Sequence, residues 1–186
     1  AVLDARRIEF KLRHRSILSE MRGRATIWLL GAAMLLVAVL SVAALLSKPF
    51  APDVMLTSID GESVQLTDLR GQVVLVNFWA TTCVTCVKEM PQIAATHRKF
   101  AGRGYQTFAV AMPYDRPDWV LEYKARNRLP FPIALDAGGG IARAFDDTRV
   151  TPTTFLIDRQ GRIVRRYVGE PDFAELQQRI EKLLAG

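Results

Sequence analysis

Residues 72–91 read QVVLVNFWATTCVTCVKEMP, and the fold turns on this stretch. Gln72 to Trp79 is an almost unbroken run of β-prone apolar residues, the pattern of a central strand buried on both faces. From Val84 to Ala101 the apolar positions Cys86, Met90, Ile93, Ala94, Phe100 and Ala101 fall near helical spacing, which predicts a helix with one stripe against a core. Gly102 and Gly104 supply its stop, and Pro91 inside it removes a hydrogen bond and predicts a kink. Cys83 and Cys86 therefore open a helix directly after a buried strand.

Outward from this core the pattern alternates. Val54 to Thr57 and Ser63 to Leu66 flank Asp60-Gly61, a turn signal that predicts a hairpin. Tyr105 to Met112 reads as a second long strand, Asp118 to Arg128 as a helix, Phe131 to Leu135 as a short strand and Ile141 to Phe145 as a short helix after three glycines. Thr153 to Asp158 and Arg162 to Val168 form a second hairpin, and Phe173 to Leu184 a closing helix. This order predicts an α/β domain whose sheet has parallel and antiparallel parts, with helices on both faces.

The 186 residues leave room for one such domain, and 49% hydrophobic with 24% charged residues excludes a disordered or fibrous chain. Ala25 to Ser47 contains no charge over 23 residues. As a helix it is about 34 Å long, enough for a hydrocarbon core of about 30 Å. Residues 1–24 carry seven Lys/Arg against three Asp/Glu, whereas only Lys48 follows the run, so the positive-inside rule puts the N-terminus in the cytoplasm. Expected boundaries are a basic cytoplasmic segment at 1–24, a transmembrane anchor at 25–47, a linker at 48–52 and a catalytic domain at 53–186. That domain is expected to be monomeric and periplasmic or otherwise extracytoplasmic, held at the inner or plasma membrane. A cleaved signal peptide competes, since Ser41-Val42-Ala43 suits a peptidase, but the run exceeds the usual h-region of about 7–15 residues. Met21 before Arg-Gly-Arg also reads as a natural start. With 17 basic and 16 acidic residues over 49–186, the pI of 9.7 reflects the N-terminal segment and does not indicate nucleic-acid binding.

Two cysteines three apart make a redox pair, half of a metal site, or a coincidence. A structural zinc site needs about four ligands, and the only histidines are His14, across the expected membrane, and His97, near the core stripe. The redox reading is favoured, with no metal and no cofactor beyond the redox-active Cys83–Cys86 disulfide. A thiol at a helix N-terminus faces unpaired N–H groups that favour its thiolate, so Cys83 is the expected nucleophile and Cys86, one turn in, the resolving thiol. Glu89 shares the face of Cys86. It is either a desolvated acid that relays a proton to Cys86 or a solvated glutamate paired with Lys88 or Arg98. Trp79 is either core or a shield over the dithiol, and in the second role it is expected, with Thr82, Thr151 and Pro152, to line the substrate-binding surface. Thr151-Pro152 opens the strand TTFLID, where proline is tolerated in either isomer.

FWATTCVTCVKEMP followed by VTPTTFLID resembles the thioredoxin superfamily, and is similar to its membrane-anchored TlpA/ResA-type thiol–disulfide oxidoreductases over about residues 50–186. The resemblance implies a thioredoxin fold with an N-terminal β-hairpin and a central insertion near Pro113 to Arg149, preceded by one transmembrane helix. It implies Cys83 and Cys86 as the redox pair and Glu89 as the active-site glutamate. Pro152 is then a cis-proline opposite the dithiol, with the Thr151 backbone available to substrate. Asn77 stands where cytoplasmic thioredoxin has a buried aspartate. The chain departs from the family at Thr82, where tryptophan is usual, and at Val84-Thr85 between the cysteines; Thr82 then belongs to the substrate surface.

The function expected is protein-disulfide reduction by mixed-disulfide exchange, serving cytochrome c maturation or copper-site thiol reduction. Its substrates are protein disulfides, and a reductant in an oxidising compartment needs a membrane electron donor of the CcdA/DsbD type. A peroxiredoxin-like thiol peroxidase and a copper-binding or delivery module are the competing functions. The first lacks a proline ahead of Thr81 and Thr82, and the second lacks a Met-rich stretch.

Overall fold

The structure is a computed structural model that describes residues 34–41 and 48–186. Residues 34–41 are helical and form part of a unit separate from Lys48–Gly186. The basic segment and most of the expected anchor lie outside the described residues, among which no helix is long and apolar enough to cross a membrane.

Strands β1 (Met55–Thr57) and β2 (Ser63–Gln65) pair antiparallel as the expected hairpin, followed by a 3-10 turn at Leu66–Leu69. Next come β3 (Val73–Trp79), α1 (Val84–Phe100), β4 (Tyr105–Ala111), α2 (Pro117–Asn127), β5 (Ile133–Leu135) and α3 (Gly140–Ala144). Strands β6 (Thr153–Ile157) and β7 (Ile163–Val168) and helix α4 (Phe173–Ala185) close the domain. The main sheet has the order β5-β4-β3-β6-β7, with β3, β4 and β5 parallel and β6 and β7 antiparallel to their neighbours. This is the thioredoxin-like arrangement, and the expected mixed sheet is present.

All seven residues of β3 are buried, as its unbroken apolar run requires of a strand in mid-sheet. Side chains alternate across the sheet, so Val73, Leu75 and Trp79 pack with Cys86, Met90 and Ile93 of α1 and Leu176 and Ile180 of α4. Val74, Val76 and Phe78 point the other way, toward Leu56, Leu66, Phe145 and Phe155. Each fully buried large apolar side chain contributes about 1.5–3 kcal/mol, so the two faces anchor β3 firmly. Asn77, on the α1 face, is the polar exception in this strand.

The helix α1 runs through Pro91. Because proline has no N–H, the carbonyl of Val87 four residues earlier has no helical donor, and Tyr123 Oη of α2 donates to it at 3.4 Å. His97 is buried between Tyr105 and Phe131, at centroid separations of 6.2 and 5.6 Å. Burial, with the nearby Arg98 charge, holds its imidazole below the usual pKa.

Pro49–Ala51, inside the stretch expected as a linker, run along the β6–β7 hairpin. Ile163 N donates to Pro49 O and Ala51 N to Gly161 O, each at 2.8 Å, and Phe50 bridges Arg162. β7 is an edge strand whose unpaired backbone groups need such a cover.

Candidate active site

Cys83 is the N-cap of α1, and its Sγ accepts the N–H of Cys86 at 3.2 Å. The cysteines are joined as a disulfide with their Cα atoms 5.2 Å apart. The helical turn makes them unequal. Cys83, at the cap, is partly exposed, while Cys86 faces the core and has no exposed surface. A Cys83 thiolate at this position would keep the Cys86 amide and the positive end of the helix dipole as its stabilising partners. Thr82, Val84 and Thr85 surround Cys83 with exposed, uncharged side chains.

One turn beyond Cys86, Glu89 is completely buried. Its Oε1 accepts Asn77 Nδ2 at 2.9 Å, and the same amide nitrogen donates to Thr154 Oγ1 of β6 at 2.9 Å. Both amide hydrogens are thereby used, while Glu89 Oε2 and Asn77 Oδ1 have no hydrogen-bond partner among the described residues. An ionised carboxylate with one oxygen unsolvated is costly, so burial pushes the Glu89 carboxyl up to about 7. The Asn77 hydrogen bond opposes this rise, and the negative charge of Glu170 adds to it. The proposed surface partners are engaged elsewhere: Lys88 pairs with Glu170 at 2.8 Å, and Arg98 reaches the Arg128 carbonyl at 3.5 Å. Glu89 is thus an acid inside the protein, poised to change charge near neutrality.

The dithiol loop and the proline loop meet at one end of the sheet. Phe78 pairs with Thr153 and Asn77 with Thr154, so Pro152 lies just beyond the end of β3, from which the chain leaves toward Cys83. The Thr151–Pro152 bond is cis. Pro152 is buried and accepts Gly169 N through its carbonyl at 2.8 Å, while Thr151 is half-buried. Trp79 is fully buried and packs on Tyr123 with ring centroids 5.2 Å apart, a core position with no surface to offer a substrate.

Two residues that pattern reading passed over touch this site from the turn after β4. Asp115 accepts Thr81 N at 2.6 Å and Thr81 Oγ1 at 2.5 Å, holding the loop just ahead of Cys83. Its neighbour Tyr114 shares a 3.3 Å hydrogen bond between its Oη and Thr151 Oγ1. The only available signal was the Pro-Tyr-Asp sequence after a strand, which predicts a turn but not its partners.

A disulfide-bonded C-x-x-C at the start of a helix, a buried acid one turn on and a cis-proline at the same sheet end define a thioredoxin-type thiol–disulfide exchange site. Residues 46–180 match the Redoxin family. "Thiol-disulfide oxidoreductase ResA" of Bacillus thuringiensis subsp. konkukian is 31% identical over 134 residues, covering 72% of this chain and 76% of that protein. A solved Neisseria meningitidis protein assigned as a thioredoxin is 38% identical with a TM-score of 0.69, covering 75% of this chain and 93% of that one. A thiol:disulfide interchange protein from a Bacteroides species is 25% identical with a TM-score of 0.62, covering 75% and 91%. The chain belongs to the Redoxin family, as a TlpA/ResA-like member of the thioredoxin superfamily, and is a thiol–disulfide oxidoreductase.

Proposed function

We propose that this oxidoreductase works as a protein-disulfide reductase, anchored by residues 25–47 with its catalytic domain on the extracytoplasmic side. The observation that carries the reading is the asymmetry of the dithiol: a partly exposed Cys83 joined to a fully buried Cys86, one turn from a buried Glu89 that titrates near pH 7.

In the reduced protein, the Cys83 thiolate attacks one sulfur of a substrate disulfide and releases the other as a thiolate. The buried Cys86 thiol then gives its proton to the Glu89 carboxylate and attacks Cys83 Sγ. This forms the Cys83–Cys86 disulfide and expels the second substrate thiolate. Two electrons pass to the substrate, and the proton held by Glu89 leaves to solvent or to the departing thiolate. The Thr151 backbone beside Pro152 receives the substrate chain, and the exposed Thr82 forms part of the contact surface. Trp79 walls the dithiol from behind. No cofactor or metal enters these steps. A membrane donor of the CcdA/DsbD type restores the dithiol, and the substrates belong to cytochrome c maturation or to copper-site thiol reduction.

Location is tested by protease treatment of intact spheroplasts. Seven basic residues before Ala25 against Lys48 after Ser47 lead to the expectation that the 53–186 domain is digested from outside while the chain fractionates with membranes. Protection of the domain contradicts the orientation. A soluble product starting near Ala44 indicates a cleaved signal segment instead.

A further inference from the structure

The turn that opens the central insertion reaches both flanks of the dithiol through adjacent residues. Asp115 takes two donors from Thr81, and its Oδ1 also accepts Arg116 N at 3.0 Å. Asp115 is itself nearly buried, and its backbone N–H bonds Met112 O at 2.9 Å, while Met112 N bonds Trp79 O at 3.0 Å. The turn is therefore pinned to the end of β3, and its carboxylate fixes the loop from which Cys83 projects; Cys83 N in turn bonds Ala80 O at 3.1 Å. Tyr114, 59% exposed, extends the other way to the hydroxyl of Thr151, the residue before the cis-proline.

The geometry points to Tyr114 and Asp115 as a pair of positioning residues that set the spacing between the attacking Cys83 and the backbone of Thr151, so that the insertion selects protein disulfides over small ones. The proposal rests on the assignment of Cys83 as nucleophile and of the Thr151 backbone as substrate partner. A small disulfide needs only the sulfur, whereas a polypeptide must meet the sulfur and Thr151 together. Asp115 acts on the first of these requirements and Tyr114 on the second. The carboxylate is suited to its part because two oxygens serve three donors; an asparagine offers one acceptor oxygen and leaves donors of Thr81 or Arg116 unmatched.

The test compares reduction of insulin and of dithiobis-nitrobenzoate by the reduced protein. Tyr114→Phe removes only the hydroxyl and is expected to lower kcat/KM for insulin about threefold more than the rate with the small disulfide, the scale of one exposed hydrogen bond. Asp115→Asn is expected to lower both rates about tenfold and to move the rising limb of the pH–rate profile to higher pH, because Cys83 loses its alignment with the Cys86 amide. Removing a negative charge alone would move that limb lower, so a downward shift overturns the positioning role. Thr81→Val, which deletes one of the two bonds from the other side, should repeat the Asp115→Asn shift in weaker form, and keeps the test open if Asp115→Asn folds poorly. Equal losses on both probes in Tyr114→Phe overturn the selection. Failure of the parent to reduce either probe, or activity persisting in Cys83→Ser, contradicts the dithiol assignment itself, and is read separately.

Discussion

Cys86→Ser protein isolated from cells carries other proteins attached to Cys83, and a reductant releases them; Cys83→Ser protein carries none. The asymmetry follows from burial. Cys83 sits at the helix cap and reaches solvent, while Cys86 is sealed in the core and can attack only the neighbouring Sγ. Removing Cys86 leaves the first displacement intact and blocks the second, so the mixed disulfide accumulates. Removing Cys83 deletes the nucleophile, and turnover of insulin is expected to fall by at least about three orders of magnitude. Gel analysis of alkylated extracts with and without reductant reads the adducts. Equal trapping by the two variants contradicts the order of attack.

Glu89→Gln is the next largest expected effect. With its carboxyl near pH 7, Glu89 can accept the Cys86 proton and give it up again at the pH of use, which a glutamine cannot do. The resolving step is expected to slow about a hundredfold at neutral pH, the usual scale for losing a positioned acid–base group, while formation of the mixed disulfide is little changed. Stability supplies an independent reading. Between about pH 4.5 and 7 the unfolded chain releases the Glu89 proton and the folded protein retains it, so the parent loses stability as pH rises through that window. Glu89→Gln lacks this loss and is the more stable protein, relative to the parent, at pH 8 than at pH 4.5. His97 works in the opposite sense: its lowered folded pKa favours stability above 6.5 and weakens it as pH falls, in parent and variant alike. Urea midpoints of the two proteins across pH therefore isolate the Glu89 contribution. Matching pH dependences would show that the carboxyl does not carry the shift.

The parts that were legible in the sequence are those set by short-range pattern. Seven consecutive buried positions in β3 follow from VVLVNFW, and the placement of Cys83 and Cys86 at a helix start follows from the run that precedes them. The burial of Glu89 could be anticipated from its one-turn offset from Cys86, although its tie to Asn77, and through that amide to Thr154, could not, because Asn77 lies 12 residues from Glu89 and 77 from Thr154 along the chain. The missing N–H of Pro91 is visible in the residue type, whereas the tyrosine that meets the orphaned Val87 carbonyl comes from a separate helix. Asp115 and Tyr114 are hidden for the same reason: Thr81 and Thr151 are 34 and 37 positions from them. Pro49–Ala51 carry two apolar residues after a proline with no period-two pattern, so nothing local signals that they cover the β7 edge.

The reducing direction is the central claim, and the equilibrium potential of the Cys83–Cys86 couple tests it most directly. Incubating the protein in dithiothreitol or glutathione buffers of graded potential, then counting free thiols, gives the midpoint. A protein-disulfide reductase fed by a membrane donor is expected to lie near the value of thioredoxin, about −270 mV. A midpoint near about −120 mV, that of the strong oxidant DsbA, would mean that the couple gives its disulfide away, and would contradict the account.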